Sequence, residues 1–286
     1  MKRGRLDSVE RILGLIGGDR RQAELARLLA EDGNTVFTAG LSRWREEPDD
    51  WERAAGAPAV ILPLPLCKEE GVLNCEGAAL PTAELFTRFR PEQRLLAGQV
   101  RPAQRQEAEA LGLTVEDYFQ REEFTVANAA LTAEGAVQTA MERLEKTLLQ
   151  MDCLVLGFGR IGKLLSCRLH GLGAHVTVAA RSSVDRAWAR AYGWEALDTS
   201  ALEGRLCSFS AVFNTVPAMV LDASLLCQLP RSCLLVDLAS QPGIDSDAAS
   251  ELGIPHVWAR GLPGKLTPVA AASALRDAVY YILMEG

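Results

Sequence analysis

The sequence is poor in histidine, contains no C-x-x-C pair and has no long apolar run. Three of its 286 residues are histidines, and its seven cysteines are odd in number. We therefore expect reduced thiols rather than a zinc site or a disulfide framework. The longest apolar run, 57–67, contains three prolines. Because a bilayer-spanning helix needs ~20 apolar residues, no membrane segment is expected.

The charge balance is acidic, with 37 Asp and Glu residues against 30 Lys and Arg residues and a net charge of -7. A chain without a basic excess lacks the attraction that drives general nucleic-acid binding, so nucleic acid is not an expected partner. The chain begins Met-Lys-Arg, but Asp7, Glu10 and Arg11 interrupt the apolar core that a signal peptide requires. We therefore expect a cytoplasmic protein.

The chain is longer than the roughly 250 residues that a single hydrophobic core usually supports, so two domains are predicted. Short apolar runs alternate with helical patterns in both halves, which is typical of an α/β protein. We predict a flavodoxin-like α/β domain at 1–125, a connecting helix at 126–149 and a Rossmann NAD(P)-binding domain at 150–266. A last helix at 267–286 is predicted to pack back across the interdomain region.

Proline placement and apolar periodicity locate the elements. Pro63 and Pro65 cannot donate to a sheet ladder, so the strand before them must run out into an end loop. The predicted strands lie at 11–16, 34–38, 59–62, 94–97, 151–156, 174–180, 211–213, 234–237 and 254–259, and the predicted helices lie near 23–29, 81–89 and 102–111, at 126–149, from 160, from 184 and at 267–283.

A glycine-rich loop follows the apolar strand that ends at Leu156 and precedes a helical pattern. Gly157 allows a tight turn, Gly159 lets the backbone approach a pyrophosphate, and Gly162 lets the helix pack close to the strand. The helix N-terminus adds free N–H groups for the phosphates. Because strand, loop and helix occur in this order, we predict a dinucleotide site made of Gly157, Phe158, Gly159, Arg160, Ile161 and Gly162.

Two further segments are predicted to contact the dinucleotide. At the end of the second Rossmann strand, where an acidic residue usually meets the ribose 2′-OH, the sequence has Arg181, Ser182 and Ser183. An arginine with two hydroxyls suits a 2′-phosphate, so we predict NADP, with NAD as the alternative if Arg181 is a solvated loop residue. The segment Asn214, Thr215, Val216 and Pro217 ends the fourth strand and is predicted to contact the nicotinamide ribose.

Several motifs, taken in order and spacing, resemble one enzyme family along nearly the whole chain. They are Ile16-Gly-Gly-Asp-Arg-Arg-Gln22, Leu62-Pro-Leu-Pro65, Asn128 with Thr132-Ala-Glu-Gly135, Ala180-Arg-Ser-Ser183, Asn214-Thr-Val-Pro217, Val236-Asp-Leu-Ala-Ser240 and Gly261-Leu-Pro-Gly264. Together they resemble the A subunit of dipicolinate synthase, the oxidoreductase of spore-forming bacteria that makes pyridine-2,6-dicarboxylate from a dihydrodipicolinate-type intermediate.

The resemblance implies an NADP-linked role in sporulation, a small dicarboxylate substrate and a partner, the B subunit of dipicolinate synthase; a homo-oligomer is also compatible with it. Two other functions stay open. One is a 2-hydroxyacid or shikimate-type dehydrogenase, although the catalytic residues of hydroxyacid and alanine dehydrogenases cannot be placed here. The other is a nucleotide-sensing subunit without chemistry.

A dicarboxylate calls for cationic or helix-end partners, which the segment Gly18, Asp19 and Arg21 offers through its arginine and exposed glycine N–H groups. The alternative is an ordinary turn with a surface arginine. The resemblance extends the predicted substrate contacts to Pro63, Pro65, Ala239, Ser240 and Gly264.

Aromatising a dihydropyridine depends more on positioning than on a strongly activated base, in agreement with the scarcity of histidine. Asn128, Thr132 and Glu134 lie on the connecting helix, where the first two are one turn apart on a single face and are predicted to act in catalysis. The alternative is a capping arrangement with solvated side chains. His256, in the last strand, is a candidate proton relay, whereas His170 and His175 are interpreted as structural.

Overall fold

The computed structural model describes residues 11–69, 71–77 and 79–285. Asp7 and Glu10, two of the three residues in the signal-peptide argument, lie outside the described residues. The third, Arg11, is described. The chain forms two compact units: residues 1–127 together with 267–286 make the first unit, and residues 128–266 make the second. Among the described residues, no helix combines the length and the apolarity needed to cross a membrane.

The first unit is built on a parallel sheet with strands in the order β2-β1-β3-β6-β7. Counted along this sheet alone, the order is 2-1-3-4-5, which confirms the predicted flavodoxin-like fold. Its elements are β1 (Ile12–Ile16), α1 (Arg20–Glu31), β2 (Thr35–Ala39), α2 (Trp51–Gly56), β3 (Ala59–Ile61), a small hairpin of β4 (Cys67–Glu69) and β5 (Val72–Leu73), α3 (Thr82–Phe86), β6 (Arg94–Ala97), α4 (Pro102–Glu109), β7 (Val115–Asp117) and a 3-10 helix (Tyr118–Gln120).

The second unit is a six-stranded parallel sheet in the order β10-β9-β8-β11-β12-β13. This corresponds to 3-2-1-4-5-6, the Rossmann order, so the predicted class of the second sheet is confirmed as well. Its elements are β8 (Asp152–Leu156), α6 (Arg160–Gly171), β9 (His175–Ala179), α7 (Ser183–Ala191), β10 (Glu195–Leu197), β11 (Ala211–Asn214), α8 (Ala223–Leu226), β12 (Leu234–Asp237), α9 (Ser246–Glu251), β13 (His256–Trp258) and α10 (Leu262–Leu266).

The helix α5 (Glu122–Arg143) begins and ends earlier than the expected 126–149. Glu122 and Glu123 favour an early start, because acidic side chains interact well with the positive end of a helix. The early end follows from the core of the second unit, in which Leu148 is buried. Gln150 then takes a positive φ of 59°, which turns the chain toward β8.

The last helix, α11 (Pro268–Met284), belongs to the first unit and packs against α1. Its buried face includes Leu275, Val279 and Ile282, which share one apolar cluster with Leu25 and Leu29 of α1. These positions recur at three- and four-residue spacing, as expected for one face of a helix. The first sheet is therefore covered by α1 and α11 on one side.

Candidate functional site

The three glycines of the loop between β8 and α6 have the distinct surroundings that a dinucleotide site requires. Gly157 has a φ of +93°, and a Cβ there would lie 2.5 Å from Thr215 Oγ1. A Cβ on Gly162 would lie 2.2 Å from the carbonyl oxygen of Gly157, so α6 packs directly on the loop. A Cβ on Gly159 would meet no atom within 4 Å. The fold thus requires glycine at positions 157 and 162, whereas the space beside Gly159 is open to a ligand.

Two N–H groups at the N-terminus of α6, those of Ile161 and Gly162, can bind an anion. Gly159 is the N-cap of the helix and supplies no side-chain hydrogen bond. Among the described residues, no acceptor pairs with the N–H groups of Ile161 and Gly162. Free N–H groups at the positive end of a twelve-residue helix form a phosphate site, so the loop fits the pyrophosphate of a dinucleotide.

Arg181 is exposed directly after β9, and its side chain has no partner among the residues that the structure describes. Ser182 caps α7 by accepting from the N–H of Asp185 at 3.3 Å, and Ser183 is the first residue of that helix. Arg186, which sequence reasoning missed, holds this loop: its Nη1 donates to the carbonyls of Ala180 and Arg181, each at 2.7 Å. The guanidinium of Arg181 is therefore carried on a fixed backbone and remains available.

Asn214 is not available to a cofactor, contrary to the sequence-based expectation. Its side chain is fully buried, and Nδ2 donates to Asp237 Oδ1 at 2.8 Å and to the carbonyl of Val216 at 3.0 Å. Thr215 Oγ1 likewise donates to the carbonyl of Leu156 at 2.8 Å. The part of this loop that remains for a ligand is the half-buried Val216 and the exposed Pro217.

The predicted catalytic side chains are not brought together. Thr132 donates its hydroxyl to the carbonyl of Asn128 at 2.8 Å, and Glu134 accepts from Arg168 Nη2 at 3.0 Å. Two helical residues separated by two positions are about 200° apart around the axis, so Glu134 and Thr132 cannot share a face. The capping alternative does not describe these side chains either, because they lie in the middle of α5 and Thr132 is buried.

His256 is also misplaced for a role beside a dinucleotide. It is the first residue of β13 and pairs with Leu235, whereas Trp258 at the carboxyl end pairs with Asp237. Ligands of such sheets bind outside the carboxyl ends of the strands. His256 Nδ1 lies 3.1 Å from the carbonyl of Ile254, so one ring nitrogen has a local backbone contact. The position of His256 therefore gives no support to a proton relay beside a dinucleotide.

In the first unit, the loops that leave β1 and β3 adjoin the point where the strand order reverses, which is where ligands bind in sheets of this type. Arg21 connects the two loops. Its Nη2 donates to Asp19 Oδ2 at 2.9 Å and to the carbonyl of Leu64 at 2.7 Å, and only 8% of its side chain is exposed. The alternative of a surface arginine does not hold, because Arg21 is buried.

The glycines before α1 do not present free donors. Gly17 donates to the carbonyl of Ala39 at 2.8 Å, and Gly18 donates to that of Asn74 at 2.6 Å. The expectation that their N–H groups would bind a carboxylate is therefore wrong, because both groups are used to fix the loop. Asp19 serves as the N-cap of α1.

Sequence reasoning missed three side chains that hold the exit of β3. Gln22 Nε2 donates to the carbonyl of Ile61, Tyr118 to that of Leu62, and Asn74 Nδ2 to that of Pro65, at 3.0, 3.0 and 3.1 Å. Asn74 Oδ1 is buried with no hydrogen-bond partner among the described residues. Such an acceptor at the ligand-binding end of a sheet is unusual. No pattern in the sequence could have placed Asn74 at this position, because the β4–β5 hairpin that precedes it was not predicted.

The other predicted substrate contacts lie in different surroundings. Pro63 is buried and Pro65 is half-buried after β3. In the second unit, Ala239 and Gly264 are buried and Ser240 is exposed. Of these last residues, Ser240 therefore has the most surface to offer a ligand. Within the described residues, no group of three or more His, Cys, Asp or Glu side chains could hold a metal ion.

Comparison with known proteins supports the motif-based resemblance. Residues 13–119 match the family model of the N-terminal domain of the dipicolinate synthase A subunit. The A subunit of dipicolinate synthase from Bacillus subtilis is 28% identical to this chain, over 96% of each protein. The crystal structure of the A subunit of dipicolinate synthase from Bacillus halodurans is 27% identical, with a TM-score of 0.83 over 96% of this chain and 97% of that one.

The chain is similar to the dipicolinate synthase A subunit along nearly its whole length. The crystal structure of the corresponding protein from Bacillus subtilis agrees, with 26% identity and a TM-score of 0.84 over 97% of both chains. The matched N-terminal model spans β1 to the 3-10 helix, so it includes Arg21, Pro65 and Asn74. The predicted resemblance is confirmed, and it covers both sheets.

Proposed function

We propose that this chain is the A subunit of a dipicolinate synthase, an NADP-dependent oxidoreductase that forms pyridine-2,6-dicarboxylate from a dihydrodipicolinate-type intermediate during sporulation. The observation that carries the proposal is the loop of Gly157 to Gly162, whose open position at Gly159 and available N–H groups at Ile161 and Gly162 suit a dinucleotide in a chain similar to that enzyme. Forming the aromatic ring removes a hydride and a proton from the dihydropyridine.

When bound, the nicotinamide ring would accept the hydride. The remaining tasks fall to the chain itself. The N–H groups of α6 bind the pyrophosphate, and Arg181 binds the 2′-phosphate through a charge-assisted hydrogen bond. Arg21 binds a substrate carboxylate: among the described residues no acceptor pairs with its Nη1, while Nε and Nη2 hold the guanidinium in place.

The cofactor preference follows from Arg181. We expect Arg181→Asp to lose about tenfold to 150-fold in NADP affinity, the range that corresponds to a charge-assisted contact of about 1.5 to 3 kcal/mol. Affinity for NAD should be retained or improved, because the new carboxylate repels a 2′-phosphate and accepts from a 2′-OH. Titration of both dinucleotides against wild type and variant measures the ratio.

The matched control is Arg231→Asp, which makes the same charge change at an exposed arginine before β12. It should leave both affinities near those of the wild type. Equal affinity of the wild-type chain for NAD and NADP, or an unchanged ratio in Arg181→Asp, would contradict the assignment of Arg181.

The activity itself is tested with dihydrodipicolinate generated immediately before use and the nicotinamide absorbance band as the readout. Because the related protein is one subunit of its synthase, we expect low turnover by this chain alone and a large increase when the cognate B subunit is added. Full turnover without any partner would refute the two-subunit proposal. Absence of dipicolinate when NADP and the B subunit are both present would refute the proposed function.

A further inference from the structure

Asp237 is a buried carboxylate at the carboxyl end of β12 that accepts three hydrogen bonds. Its donors are Asn214 Nδ2 at 2.8 Å, the N–H of Ala239 at 3.0 Å and the N–H of Gly243 at 2.7 Å. The residue is 4% exposed, and its partners among the described residues are an amide and two backbone N–H groups rather than a Lys, Arg or His. A buried charge is costly unless it is hydrogen-bonded, so these three bonds are what make it tolerable.

The three donors come from two different loops, which the carboxylate joins. One loop, 214–218, leaves β11, and the other, 238–243, leaves β12. The two loops pack closely: a Cβ on Gly243 would lie 2.3 Å from Asn214 Nδ2 and 2.7 Å from the carbonyl oxygen of Val216. Asp237 therefore fixes the position of one loop relative to the other.

The joined loops also reach the neighbouring strands on both sides. Thr215 donates to the carbonyl of Leu156, next to the glycine loop, and Val216 Cγ2 would lie 2.9 Å from a Cβ on Gly157. On the other side, Trp258 Nε1 donates to the carbonyl of Ala239 at 2.9 Å. The hydrogen bonds centred on Asp237 thus connect the carboxyl ends of β8, β11, β12 and β13.

We propose that Asp237 is a positioning residue for the nicotinamide half of the bound dinucleotide. A dinucleotide crosses a Rossmann sheet where the strand order reverses, here between β8 and β11. Arg181 follows β9, on the adenosine side of that point, and the two loops that Asp237 joins lie on the opposite side. Asp237 therefore acts on the nicotinamide half through the loops. This inference rests on the proposed function.

An amide cannot replace this carboxylate. The two oxygens of an ionised Asp accept all three N–H groups, whereas an Asn has one acceptor oxygen and two donor hydrogens. In Asp237→Asn, the new NH2 group would face a protein N–H, so at least one of the two loops must move away. The adenosine side has its own hydrogen bonds, centred on Arg186, and should keep its geometry.

The test compares two ligands that share their adenosine half. Isothermal titration with NADP and with 2′,5′-ADP is applied to wild type, Asp237→Asn and the control Asp152→Asn. Asp152 is the first residue of β8 and lies at the amino-terminal end of the strands, opposite the end that carries Asp237. Its substitution should therefore leave both affinities unchanged. We expect Asp237→Asn to bind NADP about tenfold or more weakly, while its affinity for 2′,5′-ADP stays within about twofold of wild type.

A milder variant separates positioning from unfolding. Asn214→Ala removes the bonds of this amide to Asp237 and to the backbone of Val216, and it leaves Asp237 its two backbone partners, so it should change the NADP affinity in the same direction and by less. Wild-type NADP affinity in Asp237→Asn would overturn the inference, and so would a parallel loss of both ligands in both variants. A wild-type chain that binds both ligands but forms no dipicolinate with the B subunit would refute the proposed function and leave this result intact.

Discussion

Gly162→Ala should weaken dinucleotide binding strongly. The added Cβ would lie 2.2 Å from the carbonyl oxygen of Gly157, and that atom is backbone, which cannot rotate away. The helix α6 must then shift, and a displacement of about 1 Å at a binding group costs on the order of 100-fold in function. Overpacking adds about 1 to 3 kcal/mol of destabilisation. Titration with NADP and a melting curve measure the two effects.

Gly171→Ala is the control within the same helix. A Cβ on Gly171 would meet no atom within 4 Å, and its backbone has no positive φ. Alanine is the better helix former, so stability should rise by about 0.4 to 1 kcal/mol with unchanged NADP affinity. If Gly162→Ala binds NADP as the wild type does, the close approach of α6 to the loop is not required for binding, and the glycine loop loses its assigned role.

Arg21→Ala should impair both the stability of the first unit and the recognition of substrate. It removes the bond to the carbonyl of Leu64 and leaves the carboxylate of Asp19 without its partner. Because Asp19 is partly exposed, we expect a loss of about 1 to 3 kcal/mol in the free energy of unfolding, less than for a fully buried pair. The apparent substrate constant should rise about tenfold to 150-fold.

Arg20→Ala is the matched control, because Arg20 is the adjacent arginine and is exposed. It should change neither the melting temperature nor the substrate constant. NADP affinity should stay near wild type in both variants, since the dinucleotide loop belongs to the other unit. An Arg21→Ala protein with a normal substrate constant, or with equal losses for substrate and NADP, would show that Arg21 only supports the fold.

Local patterns were sufficient for the two sheets and for the conformation of the glycine loop. The strands at 94–97 and 234–237 have the predicted bounds, because each is an apolar run that ends where the pattern breaks. The glycine loop could be predicted since its chemistry depends on backbone conformation and on sequence-local spacing. Short elements such as α2 and β10 were missed, because a few residues carry too little periodicity.

The side-chain assignments failed where they depended on distant partners. Asn214 was expected to face a cofactor, but its amide donates a hydrogen bond to Asp237, 23 residues away. Glu134 pairs with Arg168 of another helix, which no pattern in either segment indicates. Asn74 was missed for the same reason, since its partner is a carbonyl group of another loop, whereas Arg186 was missed although its carbonyl partners lie only five and six residues before it. Hydrogen bonds between remote segments leave no periodic signal in a sequence.

The position of α11 in the first unit bears on how the chain folds during synthesis. Residues 128–266 form an insertion between the two parts of that unit, so the ribosome completes the inserted unit before it makes the helix that covers Leu25 and Leu29 of α1. Domains tend to fold as they emerge, N-terminal first. We expect the reverse order here: the first unit is completed only when α11 is made, and any truncation before residue 268 leaves the apolar face of α1 uncovered.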